Sequence, residues 1–225
     1  GDIECTEPLD RMAAPLLDRG VTVYWIHGNH EYDTGPEMWE NLAAPERNPL
    51  TAAGALHSRV IEIGGVRVAG LGGTFLPHVW AGNARPRLHR REQLATDLTA
   101  IRRGLSSDQA SAAMHFLATT AIWPEDVEKL ARQKADVLVT HDAPSSHPEG
   151  SLVLDELSRA MGAGLIVHGH HHITSQAQAV DGLRVLGVGD AWAVGMDGKV
   201  VWRGGKRERP LPQAGEGWVL QLITA

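Results

Sequence analysis

The sequence of 225 residues contains one cysteine, Cys5. No disulfide can form within such a chain, and a lone thiol fits a reducing compartment. Long hydrophobic runs are missing as well: none approaches the roughly 18 residues that a membrane-spanning helix needs, and no signal-peptide pattern is read at the first residues. There is no excess of positive charge. The formal net charge is −6, which argues against a general nucleic-acid-binding surface while leaving room for a local basic patch. Internal repeats and linker-like low-complexity stretches are also lacking. These absences lead us to expect a cytoplasmic protein without a membrane partner, folded as a single domain over residues 1–225. With 43% hydrophobic residues, the chain is long enough to bury one sizeable core.

What is present in quantity is histidine, and it is clustered. Gly164-Leu165-Ile166-Val167 runs directly into His168-Gly169-His170-His171-His172, four histidines in five residues. Neutral imidazole is the commonest metal-binding side chain, and a strand end can aim alternate residues at one site. A surface histidine loop is the bland alternative, but the pattern recurs twice. Val21 to Ile26 ends in His27-Gly28-Asn29-His30-Glu31, and Asp136 to Thr140 ends in His141-Asp142-Ala143-Pro144. Three apolar runs therefore each release a polar, histidine-bearing loop at the carboxyl end, the edge at which open α/β sheets bind ligands.

In order along the chain, residues 8–19 read as a helix kinked at Pro15, followed by a strand at 21–26. A short helix starts at Pro36, and 56–63 with 66–71 form a hairpin around Gly64-Gly65. Residues 76–90 are irregular. Helices follow at 91–103, 107–121, 124–133 and 151–161, the first two lying in or beside a helical insertion at about 80–122. From Ile173 onward the chain reads as strands: 174–180, 183–188, 198–203 and 216–224. Alternating strands and helices followed by a run of strands predict an α/β fold, a two-sheet β-sandwich flanked by helices.

Gly1-Asp2, Gly28-Asn29-His30-Glu31, the strand-terminal His141 and Gly169-His170-His171-His172, in that order, resemble the calcineurin-like metallophosphoesterase superfamily. Leu71-Gly72-Gly73 after the hairpin is similar to small bacterial members of that group. The resemblance implies a four-layer αββα arrangement and a centre of two divalent metal ions, manganese or iron with zinc or nickel as substitutes. In such a centre a bridging hydroxide attacks a phosphate ester between ions roughly 3.5–4 Å apart. It implies Asp2, Asn29, His141, His170 and His172 as metal ligands and His30 as the group near the leaving oxygen, with Glu31 orienting it. The family's leading Asp-x-His block has no counterpart here. The expectation is that a first strand carrying it lies upstream of Gly1, on a further ~20–40 residues.

The remaining polar residues carry weaker expectations. His78, Arg85, Arg87 and Arg90 follow the glycines, and arginine suits phosphate recognition. His147 follows His141 closely enough to face the same site, whereas His171 is expected to point away. The expected reaction is hydrolysis of a phosphate ester, a diester slightly favoured, in a phosphorylated small molecule or nucleotide. The alternatives are a protein or nucleotide phosphomonoesterase, and a binding or scaffold protein that keeps the fold without turnover.

Overall fold

Valine- and leucine-rich runs that are buried on both faces pair side by side and need helices to cover them. The computed structural model describes residues 1–82, 85–95, 104–204, 210 and 212–222. Its helices are α1 (Leu9–Met12), α2 (Ala14–Leu17), α3 (Pro36–Ala43), α4 (Ser107–Thr120), α5 (Pro124–Ala131) and α6 (Leu152–Met161). Its strands are β1 (Arg59–Ile63), β2 (Val66–Leu71), β3 (Trp80–Ala81), β4 (Arg85–Pro86), β5 (Val137–Thr140), β6 (Leu165–His168), β7 (Ser175–Ala179), β8 (Arg184–Gly187), β9 (Ala193–Val194), β10 (Val200–Trp202) and β11 (Trp218–Leu222). The result is an α/β fold: one large sheet with the order β1-β2-β5-β6-β8-β7-β11, the small ribbons β3-β4 and β9-β10, and flanking helices.

Strands β2, β5, β6 and β8 are mutually parallel, and the outer strands pair antiparallel. The parallel register brings four carboxyl ends to one edge. From that edge emerge Gly72-Gly73, His141-Asp142, Gly169 to His172 and Val188 to Trp192. The period-2 alternation of side chains divides the sheet's two faces. Leu138 and Ile166, fully buried, pack with Leu130 of α5 and Leu154, Leu157 and Met161 of α6. Each such side chain contributes about 1.5–3 kcal/mol through burial. On the other face Val68, Val137, Leu165 and Leu186 pack with Ile26 and Leu56, and Ile61, Ile63, Val139 and Val167 are only partly covered. A groove of about 620 Å³ runs along this face, lined by Trp25, Ile26, Val68 and Val139 among others.

Local chemistry accounts for most boundaries. Pro36 and Pro124 occupy first-turn positions of their helices, where no amide donor is needed. Ser106 and Gln109 form a reciprocal cap on α4. Gly64 and Gly65 both have positive φ, as a tight hairpin turn requires. The helix expected at 8–19 is divided at Ala13 into α1 and α2, with Pro15 inside the first turn of the second.

The strand expected at 21–26 is not formed. Only Trp25 pairs, through a single parallel bridge to Ala55. Its β-branched and aromatic side chains report burial against a sheet face, which does not require backbone pairing. The hairpin begins at Arg59 rather than Leu56, because Leu56 donates its amide to Trp25 and Ser58 takes a positive φ. The helix expected at 91–103 is a 3-10 turn over Arg91–Ala95, while 96–103 lie outside the described residues, as do 223–224 of the last strand. No described helix is long and apolar enough to cross a membrane.

Candidate metal centre

Four segments deliver oxygen and nitrogen ligands to one point at the sheet edge. His141, at the end of β5, is 2% exposed. Its Nε2 stands 3.1 Å from Asp2 Oδ2 and 3.1 Å from Asn29 Oδ1. The other Asp2 oxygen accepts the His30 backbone N–H at 3.0 Å. The His170 ring follows, its centroid 5.0 Å from that of His141, and ligand atoms of Asp2, His141 and His170 all lie within 4.8 Å of one another. One imidazole proton cannot serve two oxygens at once, and neither oxygen carries a donor at neutral pH. Two oxygens and imidazole nitrogens converging in this way form a donor set for a divalent cation, so the residues fit a bound metal. The His141 Nδ1 is buried with no hydrogen-bond partner, a further mark of a ring held for its chemistry. Gly28 must be glycine here, since a Cβ would collide with the Asp2 carboxylate.

The backbone around the cleft is strained. Among the described residues six non-glycines have positive φ, and five of them, Asp2, Glu4, His170, His172 and Ala191, line the same cleft of about 540 Å³. Such conformations cost on the order of 1–3 kcal/mol each and persist where the surroundings impose them, commonly at functional sites. His172 lies on the cleft wall but outside the Asp2–His141–His170 group. Trp192 also lines the wall, with its indole N–H buried and unpartnered; nothing in its sequence context distinguishes it from a packing tryptophan.

Glu31 plays a different part from the one expected. It is fully buried, and its oxygens accept the backbone N–H groups of Ile3 (2.8 Å), Glu4 (2.9 Å) and Gly28 (3.2 Å). It thus ties the Asp2 loop to the Asn29 loop. The carboxylate that meets His30 is Asp33, 2.6 Å from Nδ1. The reason is geometric: both His30 and Asp33 project to solvent from one tight turn, whereas Glu31 turns inward. The hydrogen bond that the His30 ring donates to Asp33 raises the His30 pKa above its ordinary value. Burial would by itself raise Asp2, yet the His141 hydrogen bond and the His30 amide win and hold it well below the usual carboxylate range. Burial pushes His170 down to about 4, which leaves its ring neutral and a ligand at pH 7.

His78, Arg85, Arg87 and Arg90 are exposed and are not among the residues that line this cleft. Arg90 stands 3.8 Å from Glu125 instead. These residues belong to the β3-β4 ribbon and its flanks, which pack against the helices rather than over the sheet edge. His147 is also outside the cleft wall; its ring stacks on His171 at 3.7 Å. His171, expected to point away, does turn from the Asp2 group, but into a buried position. Behind the cleft a buried network has no sequence signal: His57 Nδ1 accepts the Gly72 amide at 3.1 Å, and its Nε2 lies 3.4 Å from Asp126. Asp126 also pairs with Arg91 at 2.5 Å.

A family model for calcineurin-like phosphoesterases matches residues 1–174. The chain belongs to that family, a class of metal-dependent phosphoesterases. It is also 34% identical over 178 residues to an uncharacterized protein of Haemophilus influenzae, a match that covers 76% of this chain and 70% of the relative.

Proposed function

We propose that this chain is a two-metal phosphoesterase acting on a phosphodiester in a small molecule or nucleotide. The convergence of Asp2, Asn29 and His141 at 3.1 Å carries the reading. Asp2, Asn29, His141, His170 and His172 hold manganese or iron, with zinc or nickel able to substitute. When bound, the ions supply an activated water and offset the charge of the phosphoryl oxygens. Asp2, kept ionised, stands between the imidazoles. His30, exposed at the mouth of the cleft and held by Asp33 with its proton retained, delivers that proton to the leaving oxygen. Glu31 acts through the backbone as a positioning residue. With Cys5 as its single thiol, the place we propose for it is the reducing cytoplasm.

The test is hydrolysis of bis-p-nitrophenyl phosphate and of p-nitrophenyl phosphate by manganese-loaded protein. The expected result is faster turnover of the diester, lost in His30→Ala while bound manganese is unchanged. A protein that holds its ions and turns over neither ester would be a binding or scaffold member of the family. Faster monoester turnover would make it a phosphomonoesterase.

A further inference from the structure

We infer that a separate divalent cation site lies beside the cleft, formed by His147, Glu149 and His171. None of these three belongs to the ligand set above, so the inference does not rest on the phosphoesterase reading. Ligand atoms of the three lie within 4.8 Å of one another. His171 is the centre of the cluster. Its side chain is 7% exposed, and its two ring nitrogens each face a carboxylate at 3.8 Å, Nδ1 toward Glu149 and Nε2 toward Asp142. That distance is too long for a hydrogen bond, and Nε2 is buried without any partner. Two atoms that each bind a tetrahedral zinc at about 2.1 Å stand roughly 3.4 Å apart, so a small inward movement of the exposed Glu149 arm closes the pair on an ion.

The His147 ring lies nearly parallel to that of His171, 3.7 Å away at 16°, so the His147 ring must turn on its side-chain bonds for both in-plane lone pairs to meet on one ion. Asp142 is anchored by the amides of Phe75 (3.0 Å) and Ala143 (2.8 Å). It lies on the Nε2 side of His171, 3.8 Å away, while Nδ1 faces Glu149. Cation binding through His147 Nδ1 would displace the Glu149 amide, which donates to it at 3.2 Å. Two imidazoles and one carboxylate select a borderline cation such as zinc or cobalt over magnesium or calcium. The His170 ring, 4.9 Å from that of His171, places the added ion next to the first centre.

The experiment is equilibrium dialysis of the full chain against Co²⁺, with metal analysis and visible absorption. The wild type should hold one ion per chain more than His147→Ala/Glu149→Gln. Asp2→Asn/His141→Ala should still hold one ion, and adding the first pair of substitutions should abolish it. Glu149→Gln alone, at a side chain 79% exposed, should weaken cobalt binding at this site at least tenfold without changing the circular dichroism spectrum. Equal cobalt in wild type and His147→Ala/Glu149→Gln, or none in Asp2→Asn/His141→Ala, would overturn the inference. An Asp2→Asn/His141→Ala protein that matches the wild type in cobalt content would count instead against the first centre.

Discussion

Replacing Glu31 by glutamine keeps the shape of the side chain and removes one acceptor, so it isolates what the buried carboxylate does. Oε1 accepts from Ile3 at 2.8 Å and Gly28 at 3.2 Å, and Oε2 accepts from Glu4 at 2.9 Å. The better amide orientation puts its oxygen in place of Oε1 and keeps two bonds. Its NH₂ group then faces the Glu4 N–H, and two donors confront each other in a fully buried pocket. Losing one bond to a charged acceptor costs about 1.5–3 kcal/mol, and the orphaned donor adds to this; we expect about 2–4 kcal/mol in total. For a chain of this size each kcal/mol moves Tm by about 2–4 °C, so scanning calorimetry of metal-free protein at pH 7 should show a fall of about 5–15 °C. Ile3 and Glu4 follow Asp2, and Gly28 precedes Asn29, so manganese affinity should fall at least tenfold in the same variant. A Tm within 2 °C of the wild type with unchanged manganese binding would refute the reasoning and return Glu31 to the role of an ordinary buried acid.

Three further outcomes follow from the same contacts. Asp33 raises the His30 pKa, which keeps the proton donor charged to higher pH; Asp33→Asn should move the alkaline limb of the kcat profile to lower pH, and an unmoved limb would exclude His30 as the acid. His170→Ala should lose a metal ion and at least a hundredfold in diester turnover together, by elemental analysis and assay; full retention of either would contradict its place as a ligand. Burial alone would raise Asp126, but hydrogen bonds from His57 and Arg91 hold it well below its ordinary value. Its contribution to stability is therefore present above the unfolded pKa of about 3.9 and lost as pH falls below it. Asp126→Ala should cost about 1.5–3 kcal/mol at neutral pH by urea unfolding, since it removes the charged acceptor that Arg91 and Ser58 share while Arg91 keeps Glu125 at 2.8 Å. The cost should be only partly reduced at pH 3, which lies below the unfolded pKa but above the depressed folded one, and should shrink further at lower pH; equal losses at pH 7 and pH 3 would refute the assignment.

The parts of the fold legible in the sequence are those in which one residue type has one physical use. Gly64-Gly65 marks a turn because both positions need positive φ, and Pro36 and Pro124 mark helix starts because proline there forfeits no bond. The run Val21 to Ile26 misled because its composition reports contact with an apolar face, and whether backbone pairs there depends on what lies alongside. Leu165 to His168 has a similar composition and does pair, between β5 and β8. No local pattern separates the two cases; the difference is decided by neighbours distant in the chain.

The centre divides along the same line. Metal chemistry admits few residue types, so His141 and His170 stand out by identity and by their place at the ends of apolar runs, whereas Asp2 and Asn29 are nominated by the resemblance to the phosphoesterases. The groups that hold them are generic. Any carboxylate can accept three amides, and whether Glu31 or Asp33 meets His30 turns on which side of one tight turn each faces. The resemblance nominates Glu31, and the turn gives that contact to Asp33. His57, Asp126 and Arg91 are more remote still: Asp126 meets Arg91 across 35 residues and His57 from the other side, and no local pattern announces either pairing. Ligands are thus read from chemistry and resemblance, whereas their supports are read only from contacts. Substitutions at the supports, Glu31 above all, are therefore the sharper test of this structure, because no motif would have nominated those contacts.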